Sequence, residues 1–89
     1  MTDDQIIYTW TNARPLNNQD PAKWRIDACG APIYWSSYGT SGQFGWEVDH
    51  IFPVSQGGSD NLSNLQALHW ENNRYKGDRT DGAYCVKTS

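Results

Sequence analysis

Apolar and polar residues alternate most clearly from Phe44 to Ile51, and this period of two residues predicts a β-strand. A long polar loop follows over residues 53–63, where Gly57 and Gly58 provide the backbone freedom that a tight reversal needs. Residues 64–68 then form a second candidate strand. The chain is therefore predicted to reverse its direction between two short strands.

A helix is predicted over residues 69–76, directly after the second strand. Gly77 is well placed to end this helix, because glycine adopts the backbone conformations of helix C-termini without strain. Arg74 and Lys76 suit the negative end of the helix dipole in the last turn. Residues 44–77 thus predict strand, loop, strand and helix, within an α+β single domain.

The remaining residues carry weaker patterns. Ile6 to Trp10 favour a short strand, residues 21–30 favour a short helix or turn that begins at Pro21, and Ala31 to Trp35 favour a further strand. We expect an N-terminal extension, a lead-in, a central core and a tail, at residues 1–23, 24–43, 44–77 and 78–89.

The length and composition predict one globular domain. The chain has 89 residues, of which 37% are hydrophobic and 13% are aromatic. No run approaches the roughly 20 apolar residues of a membrane-spanning helix, and the aromatic content argues against disorder. Because a chain of this length is only marginally able to stabilise itself, the five Trp residues are expected to lie mostly in the core.

The cysteines and the N-terminus bear on the cellular compartment. Cys29 and Cys85 lie far apart and form no CxxC pair, so a four-thiolate zinc site cannot be built from this chain. The start, Met1 to Asp4, is acidic and has no apolar segment of the secretory type. We therefore expect a cytoplasmic location with two free thiols. A disulfide would require export by an unusual route.

Four polar residues are candidates for chemistry. Asp49 and His50 place a carboxylate beside an imidazole, Asn64 follows His50 by 14 residues, and Asn73 follows Asn64 by 9. Asparagine is unfavourable inside a helix, because its side chain competes for backbone hydrogen bonds. Breaks in local preference often mark function, and we expect this of Asn73, whereas Asn72 is expected to face water.

These residues belong to a longer motif. It reads Trp46-Glu-Val-Asp-His-Ile-Phe-Pro-Val-Ser-Gln-Gly-Gly-Ser-Asp, then Asn64-Leu-Gln-Ala-Leu, then Asn72-Asn73-Arg-Tyr-Lys76. This combination and its spacing resemble the HNH nuclease family in its HNN variant, with Asn in place of the last His. The resemblance covers residues 24–79, and the sequence lacks the two CxxC pairs of many relatives.

The resemblance implies a ββα-metal fold, in which two strands and a helix hold one divalent cation against a scissile phosphate. It implies that His50 is the general base, that Asp49 and Asn73 bind the metal, and that Asn64 braces the loop and orients the histidine. Oxygen ligands suit Mg²⁺ or Mn²⁺ better than Zn²⁺, and no structural zinc is expected. Because neighbouring strand residues point to opposite faces, such a site requires that the strand end or bend at Asp49 and His50, or that the phosphate sit across the strand edge.

We therefore expect a metal-dependent endonuclease that hydrolyses phosphodiester bonds in DNA. Lys76, Arg74 and Arg79 are candidates for contact with the nucleic-acid backbone, and the alternative for them is a solvated helix end. A second hypothesis is a non-catalytic module that binds nucleic acid or protein on the same scaffold. Because the net charge is −3, binding to DNA is expected to need a homodimer or a larger nuclease complex.

Overall fold

The computed structural model describes all 89 residues, in an α+β fold with two helices and two antiparallel sheets. The elements are α1 (Asp3–Asn12), β1 (Arg14–Pro15), β2 (Trp24–Ile26), β3 (Pro32–Tyr34), β4 (Trp46–His50), β5 (Leu65–His69) and α2 (Trp70–Lys76). Strands β1, β2 and β3 pair in that order in one sheet, and β4 pairs with β5 in the other. Neither helix has the length and apolar character needed to cross a membrane.

The predicted strand, loop, strand and helix are confirmed. The register of the β4–β5 hairpin places Asp49 opposite Gln66 and His50 opposite Leu65. Helix α2 follows β5 directly and packs against both strands. It ends at Gly77, whose φ of +48° lies in the region that favours glycine. The end of β4 and the last turn of α2 are thereby brought together.

The prediction of a strand over Ile6–Trp10 is wrong, because these residues belong to α1. The Thr2 hydroxyl accepts a hydrogen bond from the Gln5 amide at 3.2 Å, and the Gln5 side chain accepts one from the Thr2 amide at 2.9 Å. This reciprocal capping box, together with two acidic residues in the first turn, starts a helix despite the β-branched residues within it. Helix α1 packs against β5 and brings Trp10 into the core.

The segment at residues 21–30, expected as a short helix or turn, divides into a turn and strand β2. The turn closes where the Trp24 amide donates to the Asp20 carbonyl at 2.9 Å. Trp24 then lies opposite Tyr34 across the sheet, with ring centroids 4.7 Å apart in an edge-on arrangement. Cross-strand aromatic pairs of this kind stabilise a sheet, which explains why the chain extends after the turn. The predicted strand at residues 31–35 is confirmed as β3.

The aromatic core is centred on Trp46, which is fully buried and donates from its indole Nε1 to the Tyr34 carbonyl at 2.9 Å. Trp10 packs on it with ring centroids 5.2 Å apart. The expectation that tryptophans are mostly core holds for these two, whereas Trp35 is 38% exposed. The buried cluster comprises Trp10, Ile33, Trp46 and Ala67.

Asp27 joins the lead-in segment to the hairpin and helix. Its carboxylate is buried, and each oxygen accepts two hydrogen bonds. Oδ1 accepts from the amides of Cys29 at 2.9 Å and Ala31 at 2.8 Å. Oδ2 accepts from the His69 amide and from the Asn72 side chain, both at 2.9 Å. Four donors thus satisfy a charge that would otherwise be costly to bury.

The expectation that Asn72 faces water is wrong, because its side chain is fully buried. Besides its bond to Asp27, its Oδ1 accepts from the amides of Val86 at 2.9 Å and Lys87 at 2.8 Å. A helical asparagine is here used to hold the C-terminal segment, which contributes backbone groups that no helix neighbour could supply. This non-local arrangement explains why an unfavourable helix residue occupies the position.

The expectation of two free thiols is also wrong, because Cys29 and Cys85 form a disulfide. The two cysteines are 56 residues apart in sequence, yet their Cα atoms are 5.4 Å apart. Asp27 holds the loop that carries Cys29, and Asn72 holds the residues that follow Cys85. The polar network around Asp27 and Asn72 therefore brings the two sulfur atoms together.

Candidate active site

A cleft of about 270 Å³ lies between the end of β4, the loop that follows it and the end of α2. A second cavity, of about 180 Å³ between α1, β2 and β5, contains none of the predicted site residues. The lining of the first cleft includes three of them, Asp49, His50 and Asn73. Its residues are Val48, Asp49, His50, Pro53, Val54, Ser55, Asn73, Gly77 and Asp78.

Asp49 and His50 border the same cleft although they are adjacent in a strand. His50 is the last residue of β4, and the chain turns away immediately afterwards. Because the chain leaves the extended conformation after His50, the imidazole is not confined to the opposite face of the sheet. It can therefore border the same cleft as the Asp49 carboxylate. Of the alternatives expected from sequence, the structure shows the first, because β4 ends at His50.

Asp49 is 7% exposed and its carboxylate is held from two sides. The Lys76 ammonium lies 3.3 Å from each of its oxygens, and the Gln66 amide donates to Oδ2 at 2.9 Å. Lys76 also donates to the His50 carbonyl at 2.9 Å. These bonds fix the orientation of the carboxylate and tie the end of α2 to the end of β4.

His50 retains 20% of its side-chain exposure and has one side-chain partner. Its Nε2 lies 2.7 Å from Oδ1 of Asp60, an exposed residue of the loop between β4 and β5. No hydrogen bond within the chain involves its Nδ1. The imidazole is therefore anchored at one nitrogen and open at the other.

Asn64 pins the loop between β4 and β5. Its amide nitrogen donates to the carbonyls of Phe52 at 3.0 Å and Ser59 at 2.8 Å. Its carbonyl oxygen accepts from the Phe52 amide at 2.8 Å. These three bonds hold the segment immediately after His50, and the side chain acts on that segment rather than on the imidazole itself.

Asn73 lies in the middle of α2 and faces β4. Its amide nitrogen donates to Oε1 of Glu47 at 3.1 Å. This bond uses the donor side of the amide, so its carbonyl oxygen is left without a hydrogen-bond partner in the chain. Glu47 thereby sets which end of Asn73 is available to a ligand.

The three predicted cationic contacts differ in their surroundings. Arg74 and Arg79 are exposed, and their guanidinium groups lie 4.9 Å from the Trp70 ring centroid and 4.7 Å from that of Tyr75. Lys76 is instead 2% exposed, with its ammonium bound to Asp49. This burial does not favour the expected contact with a phosphate, since the charge is already engaged inside the domain.

Several residues with partners at the site had no role assigned from sequence. Asp60 and Gln66 stand within the motif, but only the folded loop and the β4–β5 register bring them to His50 and Asp49. Asp27 lies outside the motif, and its neighbours in sequence are the ordinary Ile26 and Ala28. No local signal could have identified its four bonds.

The comparison with protein families bears directly on these residues. The family model of the HNH endonuclease matches residues 28–79, which is more than half of the 89-residue chain. The chain belongs to the HNH endonuclease family. The matched range contains both strands of the hairpin, helix α2 and the whole cleft. No curated protein and no solved structure matches the chain.

Two side chains of this HNH cleft offer oxygen donors of the kind that hard divalent cations prefer. They are the carboxylate of Asp49 and the free carbonyl oxygen of Asn73, which would be the protein ligands of a cation such as Mg²⁺. The chain contains no cluster of three or more His, Cys, Asp or Glu side chains that could hold a metal by themselves.

Proposed function

We propose that this HNH domain is a metal-dependent endonuclease that hydrolyses phosphodiester bonds in DNA. The proposal is supported above all by one observation, the shared cleft of Asp49, His50 and Asn73. An imidazole, a carboxylate and an amide carbonyl are the groups that water activation and cation binding require. These groups come from two different elements and line one cleft. This arrangement favours a catalytic domain over a non-catalytic binding module.

In this proposal His50 is the general base. Its imidazole is partly exposed at the cleft and has one nitrogen without a partner, so it can take a proton from a water molecule. Asp49 and Asn73 would hold the cation, which when bound neutralises charge on the phosphate and the leaving oxygen. Lys76 and Gln66 hold the Asp49 carboxylate in place. Asn64 keeps the loop against the end of β4.

The distribution of charge supports a role for further chains in binding DNA. Two of the seven basic side chains are used internally, Lys76 by Asp49 and Arg25 by the carbonyls of Thr11 and Ala13. Few cations remain at the surface to neutralise phosphates. We therefore propose that Arg74 and Arg79 contact the backbone and that a homodimer or a larger complex supplies the remaining affinity. Sedimentation of the protein with and without DNA tests this arrangement.

The activity is tested by incubating the protein with supercoiled, linear and single-stranded DNA, in Mg²⁺ and in EDTA. We expect strand cleavage with Mg²⁺ and none in EDTA. Asn73→Ala should weaken Mg²⁺ binding and cleavage, because it removes one of two protein ligands. Asn61→Ala is the matched control, since Asn61 is an exposed loop residue whose side chain makes no hydrogen bond. Cleavage that persists in EDTA, or equal losses in both variants, would contradict the proposal.

A further inference from the structure

The short contact between His50 and Asp60 determines which imidazole nitrogen carries a proton. Nε2 of His50 lies 2.7 Å from Oδ1 of Asp60. An ionised carboxylate only accepts hydrogen bonds, so the hydrogen must reside on Nε2. In the neutral imidazole the other nitrogen, Nδ1, then bears the free lone pair. Asp60 therefore selects the tautomer of His50.

The loop that carries Asp60 is held firmly at this place. Asn64 bonds to the carbonyls of Ser59 and Phe52, which joins the residue before Asp60 to the segment after His50. At Gly58, a Cβ atom would lie 1.8 Å from the Phe52 carbonyl oxygen, so the two backbone segments approach as closely as glycine allows. Asp60 is consequently presented to His50 by a braced backbone, although its own side chain is 77% exposed.

Asp60 is also in an electrostatically unfavourable place for an ordinary surface acid. An exposed carboxylate beside a cleft that receives a phosphate repels the substrate. Removing such a charge would strengthen DNA binding if the residue served no other purpose. The hydrogen bond to His50 gives the Asp60 carboxylate such a purpose, which offsets the repulsion of the substrate.

We propose that Asp60 is a positioning residue, which holds His50 as its Nε2–H tautomer so that Nδ1 is the proton acceptor. The inference rests on the proposed function. In the step itself, a proton passes from water to Nδ1, the water oxygen bonds to phosphorus, and the bond to the leaving oxygen breaks. That oxygen takes a proton from solvent. A carboxylate that orients an imidazole in this way is a recurrent device of hydrolytic sites.

The tautomer can be read without any cleavage assay. We expect long-range ¹H–¹⁵N spectra, at about pH 8.5 where a free imidazole is neutral, to show His50 protonated at Nε2. Asp60→Ala should convert this signal to a mixture of tautomers. The only other histidine, His69, accepts from the Glu71 amide at Nδ1 and lies 2.8 Å from the Gln43 carbonyl at Nε2. Its signal should not change, so it serves as an internal reference.

Single-turnover cleavage tests the consequence of this positioning. Asp60→Ala should lower the rate about 10- to 100-fold, within the contribution of a general base, while DNA affinity stays equal or rises. Asp60→Asn keeps a hydrogen-bond acceptor and should lower the cleavage rate less than Asp60→Ala does. Asp4→Asn, an exposed carboxylate of α1 with no side-chain bond, is the control for charge and should change neither quantity.

The outcomes separate this inference from the proposed function. An unchanged His50 tautomer in Asp60→Ala, or a changed tautomer with wild-type cleavage, would overturn the role of Asp60 while leaving the nuclease assignment intact. A wild-type protein that cleaves no DNA would overturn the nuclease assignment and the catalytic part of the inference together. The spectra would then still decide whether Asp60 sets the tautomer.

Discussion

Replacing Asp27 by Asn should destabilise the whole domain, although the change exchanges only one carboxylate oxygen for an NH₂ group. The Asp27 carboxylate accepts two hydrogen bonds at each oxygen, from three backbone amides and the Asn72 side chain. In Asp27→Asn, one of the two positions becomes an NH₂ group that faces two N–H donors. Whichever way the amide is turned, two buried donors lose their acceptor.

The magnitude follows from these two donors. A buried donor left without a partner costs about 1–3 kcal/mol, so the variant should lose about 2–6 kcal/mol. Domains have about 0.05–0.15 kcal/mol of stability per residue, or about 4–13 kcal/mol for a chain of this length. The loss is therefore a large part of the total free energy of unfolding. Because Asp27 also binds the His69 amide at the start of α2, the position of Asn73 depends on it.

Equilibrium unfolding in urea, followed by tryptophan fluorescence with the disulfide intact, measures this loss. With a slope of about 1–3 kcal/mol/M, the unfolding midpoint should fall by about 1 M or more. Asp81→Asn is the matched control, since exposed Asp81 accepts a single bond from the Ala83 amide at 3.0 Å. It should change stability by no more than about 0.5 kcal/mol. A loss below about 1 kcal/mol in Asp27→Asn would refute the role given to the buried carboxylate.

Three further predictions concern stability. Gly58→Ala should cost about 1–3 kcal/mol in urea unfolding, because its methyl group would collide with backbone. Replacing both Cys29 and Cys85 by Ser should cost about 4 kcal/mol by the loop-closure relation, for a sequence separation of 56. Burial, and to a smaller degree Glu47, raises the pKa of Tyr38. Since the unfolded chain then binds fewer protons than the folded one, the free energy of unfolding should fall as pH rises above about 10.

Each of these predictions has a control. Gly42→Ala should be nearly neutral, because its Cβ would meet only the Thr40 hydroxyl at 3.7 Å, and equal effects at both glycines would refute the argument. Retained stability after removal of the disulfide would show that the polar network alone holds the C-terminal segment. Tyr38→Phe should abolish part of the alkaline loss, and an unchanged pH profile in this variant would assign that loss to other groups.

The central hairpin and helix could be predicted because their signals are local. The alternation through β4, the glycines of the loop and Gly77 at the end of α2 each act within a few residues. The four motif residues were assigned roles through the resemblance of their motif to the HNH family, and that motif is also local in sequence.

The parts that were missed depend on contacts between distant segments or on competing local preferences. Helix α1 contains β-branched residues that favour a strand, but the capping pair of Thr2 and Gln5 and the acidic first turn favour a helix. Asn72 looks like a solvated helix residue until the C-terminal segment supplies its partners. The alternative of a solvated helix end is wrong for Lys76, because the packing of α2 on β4 buries it against Asp49. The partners of Asn72 and Lys76 are brought to them by the tertiary fold, which no single segment specifies.

The most direct test of the nuclease proposal is the single-turnover rate of DNA cleavage by His50→Ala in Mg²⁺. Within the fold the backbone carbonyl of His50 binds Lys76, so this variant should keep the wild-type melting curve. We predict a rate at least about 100-fold below that of the wild type, because general-base catalysis contributes factors of this size. Cleavage by a folded His50→Ala protein at the wild-type rate would contradict the account.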